Sequence, residues 1–226
     1  MLDVDEKNGE RASKELNDEC CRDCTCFHKV DVTCHEEFEE AFKNCLKWVR
    51  KLDLVFNNAG ILNDHKWKET VAINTTGMIR GTMFAFKYMG IDQGGCGGIV
   101  VNNASILGLQ PLAGSPVYCG TKHAAVGMTR SWGTPFWYDR TGIKFMAILP
   151  GVTDTNMITG AHGPDDPLTK ELARGLDSLA PQPVDKIGDH FATIITQGSN
   201  GSLWVSENGE TYEVEIPDRS ALKHIK

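Results

Sequence analysis

Leu52-Asp53-Leu54-Val55-Phe56-Asn57-Asn58-Ala59-Gly60 is a short apolar run that ends in two asparagines, an alanine and a glycine. β-Branched and aromatic residues in a run of this length, closed by a turn signal, predict a buried strand. Gly60, lacking a Cβ, would let backbone approach a ligand closely. Working outward, the chain alternates strand with helix. Residues 26–32 predict a strand, after which Thr33 and Glu36 have the spacing of a capping box. Phe38, Phe42, Cys45 and Val49 then form a core-facing helical stripe. Residues 68–89 predict a helix with Ile79, Met83 and Phe86 inward, stopped by the glycines of 94–98. Ile99-Val100-Val101 and Ile143 to Leu149 read as further strands, followed by a helix over 184–196 and a last strand at Leu203-Trp204-Val205. Pro116 suits the first turn of a helix that turns Val117, Ala124, Ala125, Met128 and Trp132 inward. This alternation predicts an α/β fold built on a doubly wound parallel sheet, with ligands beyond the carboxyl ends of the strands. Residues 1–226 read as one domain, in which the polar, proline-containing stretch 159–183 is a mobile lid holding a short helix.

The 226 residues are 41% hydrophobic, enough for a real core, and the net charge of -7 argues against nucleic acid or an anionic membrane as partner. No run approaches transmembrane length, and the acidic start Met1-Leu2-Asp3-Val4-Asp5-Glu6 does not read as a signal peptide. The eight cysteines are accordingly expected reduced, in the cytoplasm.

Tyr118 precedes Lys122 by one helical turn in Tyr118-Cys119-Gly120-Thr121-Lys122, so the two share a face. A phenol is a poor base at neutral pH unless a cation favours its phenolate, and Lys122 is placed to be that cation. Ser105, closing the run Asn102-Asn103-Ala104-Ser105, would fix an alcohol or carbonyl oxygen beside the phenol. Such a pair alone is ordinary for a solvated helix face. The further signals Asn57-Asn58-Ala59-Gly60, Asn74, and Pro150-Gly151 with Thr153-Asp154-Thr155 follow in a fixed order around it.

Together these motifs resemble the short-chain dehydrogenase/reductase family, most densely from Leu52 through Thr155. The resemblance implies a Rossmann-like sheet in which Tyr118 is the acid/base, Lys122 lowers its pKa and holds ribose, and Ser105 orients substrate. Asn74, by itself a satisfied polar residue or a kink, would keep a helix distortion and a water linking the lysine to solvent. For the cofactor, NAD, it implies contacts from Asp31 and Val32 at the adenine, from Asn58, Ala59 and Gly60, and from Pro150, Gly151, Thr153, Asp154 and Thr155 at the nicotinamide carboxamide. Asp3, at a strand end, would accept from the adenosine ribose hydroxyls and repel a 2′-phosphate, favouring NAD over NADP. A homodimer or homotetramer built on the helices carrying Asn74 and Tyr118 is implied as well.

One element of the family pattern is missing: no glycine-rich turn precedes Asp3. In the strand order 3-2-1-4-5-6 the first strand is central, so the resemblance implies a domain truncated at its N-terminus, an incomplete gene product or a short isoform, with a gap in mid-sheet. Either the strand at 26–32 shifts inward beside Leu52 to Phe56 or that region is poorly ordered. Cys20-Cys21-Arg22-Asp23-Cys24-Thr25-Cys26-Phe27-His28, with His35, invites a zinc reading, but without a second Cys-x-x-Cys knuckle no metal is assigned. Within the family, Pro116-Val117-Tyr118-Cys119, Lys122-His123 and Val126-Gly127-Met128-Thr129-Arg130-Ser131 resemble the NAD-dependent 15-hydroxyprostaglandin dehydrogenase-like group and its insect alcohol dehydrogenase relatives. Ser115 stands where prostaglandin-active members carry glutamine. The substrate class is therefore a secondary alcohol or its ketone. The alternative is a catalytically silent subunit that pairs with an intact homologue.

Overall fold

The computed structural model describes residues 1–155, 157 and 164–221. A doubly wound, Rossmann-like sheet organises it, divided into two parts. The smaller pairs β1 (Leu2–Asp3) with β2 (His28–Lys29) in parallel. The larger has the order β3-β4-β5-β6-β7, comprising Leu54–Asn57, Gly98–Asn103, Ile143–Pro150, Leu203–Glu207 and Glu210–Val214. Its first four strands run parallel and only β7 is antiparallel. The helices are α1 (Glu6–Glu19), α2 (His35–Trp48), α3 (Trp67–Val71), α4 (Met78–Met89), α5 (Pro116–Trp132), α6 (Pro135–Thr141), α7 (Pro167–Asp177) and α8 (Asp185–Gln197). None of the described helices is long and apolar enough to cross a membrane.

Strand β5 shows why the sheet must be covered twice. Phe145 through Leu149 are all buried. Met146 and Ile148 pack with Val101, Trp204 and Ile194 of α8, whereas Ala147 and Leu149 pack with Ala125 and Val126 of α5. Alternate side chains point to opposite faces, so a helix layer on each side is needed to keep this continuous apolar run from water. A polar chain ties the layers together beside the strand ends. Asn57 Nδ2 donates to Thr82 Oγ1 (3.2 Å) and Asn102 Oδ1 (2.9 Å), and Asn102 Nδ2 donates to Thr129 Oγ1 (2.9 Å).

Several expectations are corrected. The capping box fails: the second helix begins at His35, the side chain of its N-cap Cys34 caps no helix amide, and Asp31 Oδ1 accepts from Thr33 N at 2.8 Å, turning the chain before the helix starts. Of the stripe Ile79, Met83, Phe86, the first and last pack against the core and Met83 does not. Met83 is 42% exposed, and the buried face carries Met78, Gly81, Thr82, Ala85 and Met89. A π-helical turn, Ala72–Gly77, precedes this helix. The expected last strand continues into a hairpin through Asn208 (φ 52°) and Gly209 (φ 78°), a two-residue turn matched to sheet twist.

The strand expected over 26–32 is reduced to His28–Lys29 and does not shift inward to pair with β3. Instead a cavity of about 430 Å³ separates the two sheets. It is lined from one side by Leu2, Asp3 and Val30 and from the other by Leu54 to Gly60. The expected mid-sheet gap is thus present as a defined space.

Candidate active site

Four elements converge at the carboxyl end of β4. The strand ends at Asn103, and Ser105 follows in extended backbone, its Oγ accepting from Leu107 N at 3.1 Å to start a tight turn, Ile106–Gly108. That turn lies against α5: a methyl on Gly108 would sit 2.8 Å from Lys122 O. This close approach brings Ser105 within reach of Tyr118. Ser105 Oγ also donates to Pro150 O at 3.4 Å, linking the turn to the end of β5.

On α5, Tyr118 and Lys122 are both buried, rather than emerging beside a buried face. Lys122 Nζ donates to Asn103 O at 2.7 Å and lies 5.4 Å from the centre of the Tyr118 ring. Burial pushes the Tyr118 phenol up to about 12, with the Ser105 hydroxyl drawing it part of the way back. Burial also lowers the Lys122 ammonium to about 8. The direction at Tyr118 is opposite to the lowering expected from sequence. Removing the phenolate from water outweighs a lysine whose hydrogen bond is directed at a carbonyl.

Asn74 lies in the π-helical turn, buried. Its Oδ1 accepts from Ile61 N at 2.8 Å, while its Nδ2 donates to Ile61 O (2.9 Å) and Thr121 Oγ1 (3.1 Å). It therefore bridges the loop after β3 to the residue beside Lys122. A methyl on Gly60 would come 3.4 Å from Asn74 Oδ1 and 3.7 Å from Lys122 Nζ, so Gly60 borders the same place. The structure brings Gly60, Asn74, Ser105, Tyr118 and Lys122 together.

The remaining candidates fall into two groups. Asp3, Asp31, Val32, Asn58, Ala59 and Gly60 all line the cavity between the sheets. Pro150, Gly151, Thr153, Asp154 and Thr155 stand apart from it, beyond β5, on a loop that Gln182 fastens: Asp154 N donates to Gln182 O and Gln182 N to Val152 O, each at 2.9 Å. Thr153 Oγ1 is turned to Gly151 O at 3.0 Å. Ser115 is fully enclosed, its Oγ 3.9 Å from Cys119 Sγ. The lid residues 159–163 lie outside the described residues; the described remainder of 159–183 contains α7. In the cysteine-rich segment Cys26 Sγ lies 3.9 Å from His28 Nε2, and among the described residues no three His, Cys, Asp or Glu side chains form a metal site.

Sequence reasoning missed three contributors. Asp64 accepts hydrogen bonds from Val117 N (2.6 Å) and Tyr118 N (3.0 Å). The signal for it is indirect: α5 has no acidic residue in its first turn and no side-chain cap of its own. Asn103 supplies the carbonyl that holds Lys122, and its Nδ2 donates to Asn58 Oδ1 at 2.8 Å, while its Oδ1 is buried without a partner among the described residues. Gln182, which fixes the 151–155 loop, has no sequence signature.

The residues present fit a dinucleotide: a cavity beyond parallel strands, a carboxylate at the end of β1, and bare backbone at Gly60 beside Asn74 and Lys122. Comparison with known proteins agrees. Residues 1–163 match the short chain dehydrogenase family. Alcohol dehydrogenase 1 of Ceratitis capitata is 35% identical over 192 residues, 84% of this chain and 74% of that protein. Bovine (Bos taurus) 15-hydroxyprostaglandin dehydrogenase (NAD+) is 35% identical over 158 residues, covering 70% of this chain and 59% of that one. Among solved structures, levodione reductase superposes with a TM-score of 0.76 at 23% identity, covering 92% of this chain and 85% of that one. A dehydrogenase/reductase from Burkholderia phymatum, solved in complex with NAD, gives 0.74 at 18% identity, covering 91% and 78%. With the motif order, the sheet and the matched length in agreement, this chain belongs to the short chain dehydrogenase family.

Proposed function

We propose that this chain is an NAD-dependent oxidoreductase that interconverts a secondary alcohol and its ketone. The observation that carries the reading is the burial of Tyr118 and Lys122 one helical turn apart, beside Ser105 and at the carboxyl end of the parallel strands. NAD, when bound, supplies the hydride acceptor. Asp3 would accept from its adenosine ribose, Asp31 and Val32 would border adenine, and Asn58, Ala59 and Gly60 would flank it along the cavity wall. Pro150, Gly151, Thr153, Asp154 and Thr155 would hold the carboxamide. Ser105 orients the substrate oxygen, and Tyr118 gives it a proton or takes one away. Lys122, titrating near 8, is mostly protonated at neutral pH and is a cation on hand for the phenolate. Asn74 supports the lysine through its bond to Thr121 Oγ1.

The stretch 159–183 acts as the substrate lid. The exposed Val71 and Met83 suit a homodimer or homotetramer face on the helices around Asn74. A cytoplasmic site completes the proposal.

Titrating the chain with NADH, followed by nicotinamide fluorescence and energy transfer from its tryptophans, tests the first step. A screen of secondary alcohols then tests the second. Tyr118→Phe should cut turnover by about 10²–10⁴-fold while leaving NADH affinity and folding intact; retained turnover sinks the mechanism. The open cavity between the sheets favours one rival, a silent subunit that pairs with an intact homologue. A folded chain that binds no NADH yet co-purifies with such a homologue would establish it.

A further inference from the structure

The helix that carries Tyr118 is capped from outside itself. Ser115 occupies the N-cap position of α5 but its side chain caps no amide of the helix. Asp64 does so instead, one carboxylate oxygen on Val117 N at 2.6 Å and the other on Tyr118 N at 3.0 Å. A carboxylate at this end also meets the positive pole of the helix dipole. The next residue reaches the other way. His65 Nε2 lies 3.3 Å from Asp166 Oδ2 and 3.1 Å from Thr169 Oγ1, at the cap and first turn of α7. The same helix presses on the segment leading into α5: a methyl on Gly114 would overlap Leu172 backbone, and one on Gly175 would overlap the Leu112 side chain. At its upstream end the loop is fastened by the two bonds between Asn74 and Ile61. Residues 61–65 thus join three elements: the π-helical turn, the first turn of α5 and the first turn of α7.

We infer that Asp64 is a positioning residue for Tyr118, and that His65 makes this positioning depend on the seating of Pro167–Asp177. The inference rests on the reading of Tyr118 as acid/base. One of the two amides that Asp64 grips belongs to Tyr118 itself, so the carboxylate fixes the point from which the phenol projects. A second grip on the neighbouring amide fixes the rotation of the turn. Positioning of this kind matters at the ångström scale, because a shift of about 1 Å at a reacting group costs on the order of 10²-fold in rate. A segment that closes over substrate and is tied by His65 to the same loop would bring the phenol into register as it seats.

The test compares Asp64→Ala, Asp64→Asn and His65→Ala in the full chain. Amide hydrogen exchange is followed by NMR, and steady-state alcohol oxidation is measured at varied NAD+. Asp64→Ala should lose protection at the Val117 and Tyr118 amides and lower kcat by about 10²-fold, with KM for NAD+ unchanged. Asp64→Asn, which can accept from only one of the two amides, should lose protection at the other and have a kcat between those of the wild type and Asp64→Ala. His65→Ala should weaken protection at the same two amides although it touches neither. Unchanged protection in Asp64→Ala, or wild-type kcat despite lost protection, overturns the assignment. Protection unaltered by His65→Ala overturns the dependence on α7. A wild-type chain without alcohol turnover would refute the functional reading instead, and the exchange data would still decide the positioning. Should Asp64→Ala fail to fold, Asp64→Asn carries both measurements.

Discussion

Lys122 should make this protein more stable as the pH rises, over a window in which most proteins are level. Burial lowers its ammonium to about 8 from an ordinary 10.5. Between these values the folded chain has released the proton and the unfolded chain still holds it, so unfolding takes up a proton. Stability therefore rises with pH across that window, is complete above about 10.5, and is absent below about 8. The slope is about 1.4 kcal/mol per pH unit at most, giving about 3 kcal/mol in all and about 1 kcal/mol between pH 7 and pH 9. Lys122→Met removes the titration and keeps much of the side-chain volume, at the cost of the bond to Asn103 O, about 1 kcal/mol. Urea unfolding of both proteins at pH 7, 8 and 9 makes the comparison. The wild type should gain about 1 kcal/mol on the variant over that range, and at pH 7 the variant should be at least as stable. Tyr118 does not interfere, since its unfolded phenol titrates near 10 and its folded one near 12. Other shifted groups, such as the Cys45 thiol raised by burial, are common to both chains and cancel. Parallel stability profiles for the two proteins would refute the reasoning, because they would mean that Lys122 keeps its charge at no cost inside the fold.

Asn74→Ala should cost about 2–4 kcal/mol, since it strands Ile61 N, Ile61 O and Thr121 Oγ1 in a partly dry setting, and should lower Tm by roughly 5–12 °C for a chain of this size. Thermal unfolding by circular dichroism checks it, and a loss under about 1 kcal/mol would mean that the π-helical turn is held by something else. Gly81→Ala should destabilise by about 1–3 kcal/mol even though alanine is the better helix former, because its methyl would overlap Asn57 Oδ1 and crowd Phe38. An unchanged or raised urea midpoint would show that α4 can move off β3 freely.

How much of this was legible in sequence depended on the distance over which each signal acts. Strands β3, β4 and β5 are continuous apolar runs, and Pro116 marks the start of α5; both are local statements about a few neighbouring residues. Tyr118 and Lys122 were likewise visible because one helical turn separates them. Met83 was misplaced because an apolar residue at helical spacing does not by itself show that its face is covered: it is exposed, while Ile79 and Phe86 of the same stripe pack against the core. The hairpin at Asn208-Gly209 was overlooked although an Asn-Gly pair between two strand-like runs is a strong local signal. Asp64 was not legible at all, for a physical reason. Its partners are backbone amides 53 and 54 residues away, and a backbone amide leaves no trace in residue type. The same holds for Asn103, which serves Lys122 through its carbonyl.

The two shifts at the candidate site also bear on which way Tyr118 is ready to act. A phenol at about 12 is protonated at neutral pH, so it can donate to a developing alkoxide without rearrangement. Accepting a proton from an alcohol asks for more. The phenol stands at about 12 with Lys122 Nζ already 5.4 Å from its ring centre, so the lysine as placed does not bring it toward neutrality. Lys122 spends its hydrogen bond on Asn103 O, so redirecting it toward the phenol oxygen is the change with the most to give. Burial makes either charge alone expensive, but a phenolate and an ammonium formed side by side stabilise each other in the same low-dielectric setting. On the proposed reading of Tyr118, the arrangement is that of an acid in waiting, which a movement of Lys122 off the Asn103 carbonyl would convert to a base.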